Sequence, residues 1–284
     1  MTSMDTEKGM LYVVATPIGN LGDMTARAVE ILREVDLIAA EDTRNSIKLL
    51  NHFDIHTPMT SYHEFNKYEK ADELVGKLLT GVNIAIITDA GTPCISDPGE
   101  ILVQKCYEHD IRVTSLPGPS AVITALTLAG FSVRRFVFEG FLPAQKQKRE
   151  RRAAIDRLRN ETGTIVLYEA PHHLIGTLED LKEALGGERR ISLCRELTKK
   201  HEEILRMTID EALLTEPRGE YVLVIEGRSE ADVKAESVAS FEELSIEAHM
   251  ERYLAQGMDK KEAMKAVAKD RGVSRRDIYN QLER

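Results

Sequence analysis

Long apolar runs are missing from this chain of 284 residues, and none approaches the length needed to cross a bilayer, which excludes a helical membrane protein. Cysteine is scarce. Cys94, Cys106 and Cys194 are odd in number, far apart and without C-x-x-C spacing, which argues against a disulfide framework or a zinc site and fits a reducing cytoplasm. A secretory leader is not expected, because residues 1–9 are polar and acidic; they read as a disordered tail. An excess of positive charge is missing as well. The net charge of −9 argues against a generic nucleic-acid coat protein. No G-x-G-x-x-G turn follows the first apolar run, where Gly19 and Gly22 stand at a different spacing, so a standard dinucleotide site is not expected. His52 and His56 are four apart, but Pro58 follows and no carboxylate stands at a matching step, so they read as surface histidines and no metal is expected.

What is present is a core-forming composition, 42% hydrophobic and 30% charged, in a chain long enough for two α/β domains or one with appendages. The densest local signal is I-T-D-A-G-T-P-C-I-S-D-P-G at residues 87–99. An apolar run at 83–88 ends there in a loop with two glycines, two prolines and two aspartates, and a helical pattern starts near Glu100. In an open α/β sheet, a loop at the carboxyl end of a buried strand is where ligands bind. Small residues let a ligand approach the backbone, and proline lowers the entropy lost on ordering.

Taken in order, residues 10–16 form a buried-strand pattern closed by P-I-G-N-L-G-D, with Thr25 as N-cap of the next helix. Residues 36–40 form a second strand, ending in Glu41-Asp-Thr-Arg44, which serves either as a helix cap or as part of a site. Further strands are expected at 59–62, 112–115, 135–139, 164–168, 190–194, 204–208 and 221–226. The strand at 112–115 delivers L-P-G-P-S before a small-residue helix at 121–129; Ser120 is there either a cap or a ligand contact at a helix N-terminus. Residues 143–159 carry seven basic residues (Lys146, Lys148, Arg149, Arg151, Arg152, Arg157 and Arg159) against Glu150 and Asp156, a local patch suited to phosphates.

Residues 228–240 read as a polar linker, followed by helical patterns at 246–255, 260–269 and 275–282. R-G-V-S at 271–274 supplies a glycine C-cap and a serine N-cap between the last two, the arithmetic of a helix-turn-helix. From Met258 onward eight basic residues face five acidic ones, which suits either a nucleic-acid grip or a packing appendage. The expected organisation is a tail at 1–9, an N-terminal α/β domain at 10–130, a C-terminal α/β domain at 131–228, a linker at 229–240 and a helical segment at 241–284.

Several phrases resemble, in the same order, those of the tetrapyrrole-methylase-like S-adenosylmethionine-dependent methyltransferases: V-A-T-P-I-G-N-L-G-D (14–23), A-E-D-T-R (40–44), S-Y-H-E-F-N (61–66), D-A-G-T-P-C-I-S-D-P-G (89–99), P-G-P-S-A (117–121), G-F-L-P (140–143), Y-E-A-P-H (168–172) and R-E-L-T-K-K (195–200). They depart from the family at Cys94 and His173, where Leu and Arg are expected. The resemblance covers about residues 11–227, and the helix-turn-helix tail fits it too. It implies two α/β domains with the cofactor between them, working as a homodimer. In the branch that modifies ribosomal RNA, it implies methyl transfer to the ribose 2′-hydroxyl of a decoding-region cytidine in 16S rRNA of the small ribosomal subunit.

The resemblance further implies that S-adenosyl-L-methionine is contacted by Asp89, Ala90, Gly91, Thr92, Ser120, Ala121 and Ala170, with Pro17 at the edge of the pocket. RNA is expected at Lys146, Lys148, Arg149, Arg151, Arg152, Arg195 and Lys199. A ribose hydroxyl is a weak nucleophile, so a carboxylate or histidine near it would act as base. Glu41, Asp42, His63, Glu169 and Glu196 qualify, with Glu41 and Glu196 preferred because Arg44 and Arg195 stand beside them in sequence. Two rival functions use the same residues: a small-molecule methylase acting on a tetrapyrrole, which would need neither the basic stretch nor the tail, and a DNA-binding regulator with the tail as reader.

Overall fold

The computed structural model describes residues 7–233 and 244–282. The tail at 1–6 and most of the expected linker lie outside these residues. The first sheet contains β1 (Met10–Val14), β2 (Leu37–Ala40), β3 (Met59–Ser61), β4 (Ile84–Ile87) and β5 (Arg112–Leu116) in the order β3-β2-β4-β1-β5. Every pairing is parallel. Parallel neighbours require crossovers, and these are α1 (Ala26–Glu34), α2 (Thr43–His52), α3 (Lys67–Leu79) and α4 (Gly99–Glu108). Alternate side chains serve opposite faces: Ile84 and Ile86 pack with α3 and α4, while Ala85 and Ile87 pack with α1 and α2. With both faces covered, the strands read as continuous apolar runs rather than alternating ones. Thr25 accepts from the Ala28 N–H at 3.2 Å and Asp42 from the Arg44 N–H at 2.8 Å, so both act as N-caps.

The second sheet contains β6 (Phe136–Phe141), β7 (Thr164–Glu169), β8 (Arg190–Arg195), β9 (Glu203–Thr208) and β10 (Tyr221–Ile225) in the order β6-β7-β10-β8-β9. Only β6 and β7 are parallel; β10 runs against both β7 and β8. One face is covered by α6 (Lys148–Leu158), α7 (Leu174–Leu185) and α8 (Ile209–Ala212). The other is covered by α5 (Ala121–Ala129), whose Val122, Ala125 and Leu126 pack on Val166, Cys194, Val222 and Val224. A division at residue 130 therefore places α5 with the first sheet, while its apolar face belongs to the second. Among the described residues, both sheets fall in one compact unit, 7–158 with 164–226; 159–163, 227–233 and 244–282 form another.

Within that second unit, the helices Ile246–Leu254, Lys260–Asp270 and Arg275–Leu282 enclose Met250, Ala263, Met264, Val267 and Ile278. Gly272 takes φ +64° directly after the middle helix, and Ser274 accepts from the Asp277 N–H at 3.2 Å, as the helix-turn-helix reading expects.

Candidate active site

Because the first sheet is parallel, the carboxyl ends of its strands share one edge, and their loops are tied to one another. Thr16 and Gly91 exchange backbone hydrogen bonds of 2.9 and 3.0 Å. The Thr16 hydroxyl donates to the Thr88 carbonyl at 3.0 Å, and the Thr92 hydroxyl to the Pro119 carbonyl at 3.0 Å. Together these loops form one wall of a cavity of about 490 Å³, with Glu41, Asp89, Ala90, Gly91, Thr92, Ser120 and Ala121 facing it. A volume of that order accommodates a nucleoside-sized ligand. Ser120 precedes α5 without making a side-chain cap bond, so its hydroxyl is not consumed as an N-cap.

Strand direction builds the opposite wall. β6, β7 and β8 end at the same edge at which the antiparallel β10 begins, since Tyr221 pairs with both Glu169 and Arg195. Phe141, Tyr168, Glu169, Ala170, Glu196, Lys199, Glu220 and Tyr221 are thereby brought into the cavity. A β-bulge between Phe138 and Gly140 re-aims the end of β6. At Gly140 the backbone takes φ +72°, and a Cβ there would stand 2.9 Å from the Ser96 hydroxyl, so the position requires glycine on both counts. Phe141, just beyond, is 59% exposed at the cavity mouth and lies against Tyr168, with ring centroids 5.4 Å apart. Cys94, Ser96, Glu196 and Thr198 are all non-glycine residues in the left-handed region. Such strain costs on the order of 1–3 kcal/mol per residue and gathers at functional sites.

The cavity is strongly anionic: Glu41, Asp89, Asp97, Glu169, Glu196 and Glu220 face one ammonium, Lys199. Burial, followed by the Glu41 and Asp42 charges, raises the pKa of Asp89 above the ordinary carboxylate value, against a 3.1 Å bond from Asn45. Burial likewise raises Asp97. At Glu196 burial also opposes the charge, but the Glu220 N–H at 2.9 Å and Lys199 at 3.0 Å outweigh it, and its pKa lies below the ordinary range. Lys199 is raised: Glu220 at 2.7 Å and Glu196 outweigh its burial, so it is a cation at neutral pH. Burial pushes the Cys94 and Cys194 thiols up to about 12 and that of Cys106 to about 11, leaving none as a thiolate nucleophile.

The structure gathers all the expected cofactor residues around this cavity, Ala170 on the opposite wall from the others, except Pro17, which stands one residue before the lining Ile18. Neither arginine expected beside the two preferred carboxylates pairs with it, although the Arg195 charge contributes to the lowering of Glu196. Arg44 forks onto Asp42 at 3.0 and 2.7 Å, lowering that carboxyl to about 2, and its side chain is 88% exposed. Arg195 pairs with Glu203 at 2.9 Å. Glu41 instead accepts from the Thr88 hydroxyl at 2.5 Å. Lys146, Lys148, Arg149 and Arg152 are exposed on or just before α6, but Arg151 is buried. It lies in the stripe formed by Ala154, Ile155 and Leu158, and it bonds to Asp180, Pro143 and Thr177. It is thus a core residue rather than a surface phosphate contact. Among the described residues no group of three or more His, Cys, Asp or Glu is placed to hold a metal ion. No helix of the described residues is long and apolar enough to cross a membrane.

A model of the tetrapyrrole (corrin/porphyrin) methylases matches residues 10–213. A protein of Halalkalibacterium halodurans named ribosomal RNA small subunit methyltransferase I is 49% identical over 278 residues, covering 96% of this chain and 94% of that protein. A Synechocystis protein of the same name is 48% identical over 275 residues, covering 95% and 96%. Among solved structures, a diphthine synthase superposes with a TM-score of 0.60 at 12% identity, covering 82% of this chain and 96% of that one, which is a likeness of fold.

Proposed function

The chain belongs to the tetrapyrrole (corrin/porphyrin) methylase family, and on that footing we propose that it transfers a methyl group from S-adenosyl-L-methionine to 16S rRNA of the small ribosomal subunit, at the ribose 2′-hydroxyl of a decoding-region cytidine. The observation that carries the reading is the charge of the cavity, six carboxylates against one ammonium, in a chain so similar to proteins named for ribosomal RNA methylation. S-adenosylmethionine supplies a methyl group activated by a sulfonium, and with its ammonium and carboxylate it carries one net positive charge. An anionic cavity suits that cation.

The residues fit such a ligand. Asp89 and Glu41 offer carboxylates to its positive groups, and Ala90, Gly91 and Thr92 present backbone at close range. Ser120 and Ala121 offer the unpaired N–H groups of a helix start to its carboxylate. Ala170 closes the far side, and Pro17 stands just outside. The same negative charge repels RNA phosphates, so these are held outside, by Lys146, Lys148, Arg149 and Arg152, with Arg195 and Lys199 reducing repulsion at the rim. Arg44 is an outer contact rather than a partner of Glu41. Glu196, already engaged by Lys199 and a backbone N–H, shapes the cavity charge along with Glu41. The same reading makes the working form a homodimer in the cytoplasm that uses no metal.

The test offers labelled cofactor together with two acceptors, small subunits lacking the modification and a tetrapyrrole. Label in the subunits supports the proposal. Label in the tetrapyrrole alone replaces it with a small-molecule methylase.

A further inference from the structure

Arg151 breaks the apolar stripe of α6, and what it touches leads to the cavity. Only 6% of it is exposed. Its Nε donates to Asp180 at 2.6 Å, one terminal nitrogen to the Pro143 carbonyl at 2.9 Å, and the other to the Thr177 hydroxyl oxygen at 2.8 Å. Thr177 is fully buried, and its hydroxyl also contacts Glu169. Guanidinium has donors and no acceptor, so the Thr177 oxygen accepts from Arg151 and its single proton must point to Glu169. The chain of bonds therefore has one direction, from the cation through the hydroxyl to the carboxylate, and each bond strengthens the next in a dry interior.

Glu169 is held at its other oxygen by the Ala170 N–H at 2.8 Å. Each carboxylate oxygen thus has one fixed donor and keeps a second lone pair, and the residue lines the cavity beside Ala170. The remaining lining carboxylates are committed differently. Asp97 takes the backbone N–H groups of Gly99 at 2.8 Å and Ile95 at 3.2 Å. Glu196 and Glu220 share Lys199. Asp89, within the proposed cofactor loop, accepts from Asn45 at 3.1 Å, and Glu41 accepts from the Thr88 hydroxyl at 2.5 Å and is given above to the positive groups of the cofactor. Burying an arginine and a carboxylate is costly unless the network has a use, and a charged residue in an apolar stripe marks a place where function overrides local packing.

We propose that Glu169 is the proton acceptor of the methyl transfer, with Thr177 and Arg151 as its positioning residues. This rests on the methyltransferase reading above. As the ribose oxygen forms its bond to the methyl carbon and the sulfur–carbon bond breaks with its electron pair going to sulfur, the hydroxyl proton passes to a free lone pair of Glu169.

Thr177→Val keeps the shape of the side chain and removes the hydroxyl; Thr177→Ser keeps the hydroxyl. The expected result with small subunits is a kcat about a hundredfold lower for Thr177→Val, with KM for subunits and cofactor affinity by titration calorimetry both unchanged, and recovery in Thr177→Ser. Glu169→Gln, which preserves volume and the Ala170 bond, is expected to lose kcat in the same way and serves if Thr177→Val does not fold. Unchanged kcat in either folded variant, or a loss that appears as weakened cofactor binding, overturns the assignment. Failure of the wild-type protein to label subunits at all would instead overturn the function on which it rests.

Discussion

The stem of Lys199 lies directly over Gly19: a Cβ at that glycine would fall well inside van der Waals contact with the lysine Cγ, and within 3.2 Å of the Leu197 carbonyl oxygen. The first loop of one sheet thereby holds Lys199, the one cation lining the cavity among the described residues, against Glu196 and Glu220. Gly19→Ala must displace that stem, with an overpacking cost on the order of 1–3 kcal/mol. Most of this cost is expected to vanish in a Lys199→Ala background, where the Cγ is gone. Thermal melts of the four proteins of this cycle measure the coupling; strict additivity would show that the contact carries no strain.

In the proposed function Asp89 faces a cationic cofactor, and this makes cofactor binding depend on pH. In the free protein its pKa is raised, first by burial and then by Glu41 and Asp42. A cationic ligand favours the ionised form, so binding lowers that pKa and releases a proton in the window just around the raised value. Affinity is expected to be level above the window and to fall as pH drops through it. Asp89→Asn is expected to bind about tenfold more weakly at neutral pH and to lose this pH dependence. Calorimetry across pH, in buffers of different ionisation heat, measures both.

The basic residues around α6 divide into two classes that charge counting treats as one. Reversing Lys148, Arg149 and Arg152 to Glu is expected to leave the melting temperature and cofactor affinity near wild type. Subunit binding should weaken at least about tenfold, with a shallower salt dependence. Arg151→Met is expected to lower the melting temperature, because it removes the buried donor that orients Thr177 and leaves the Pro143 carbonyl without its partner; an unmet buried polar group costs on the order of 1–3 kcal/mol. Equal melts for the two sets would contradict the division.

The division was legible in the sequence. Arg151 stands three, four and seven residues before Ala154, Ile155 and Leu158, so helical spacing alone places it inward; net charge along the segment conceals this. The cavity wall built by the first sheet was legible for a different reason. Parallel strands put all their carboxyl ends on one edge, and glycine, proline and small side chains there mark loops that a ligand can approach. The opposite wall was only half legible. Glu220 and Tyr221 enter the cavity because β10 runs antiparallel, and nothing in an apolar run such as Tyr221–Ile225 encodes its direction. Nor did adjacency in sequence predict pairing: Arg44 reached Asp42 and Arg195 reached Glu203 across a strand pair, instead of Glu41 and Glu196.

The most direct measurement of the central claim is where the methyl group goes. Small subunits from cells lacking the activity would be incubated with the protein and tritiated S-adenosylmethionine, and the rRNA digested with alkali and nucleases. The account predicts label in an alkali-resistant dinucleotide bearing cytidine, because a 2′-O-methyl ribose blocks cleavage of the adjoining bond. Label released on a base, or no label in rRNA despite tight cofactor binding, would contradict it.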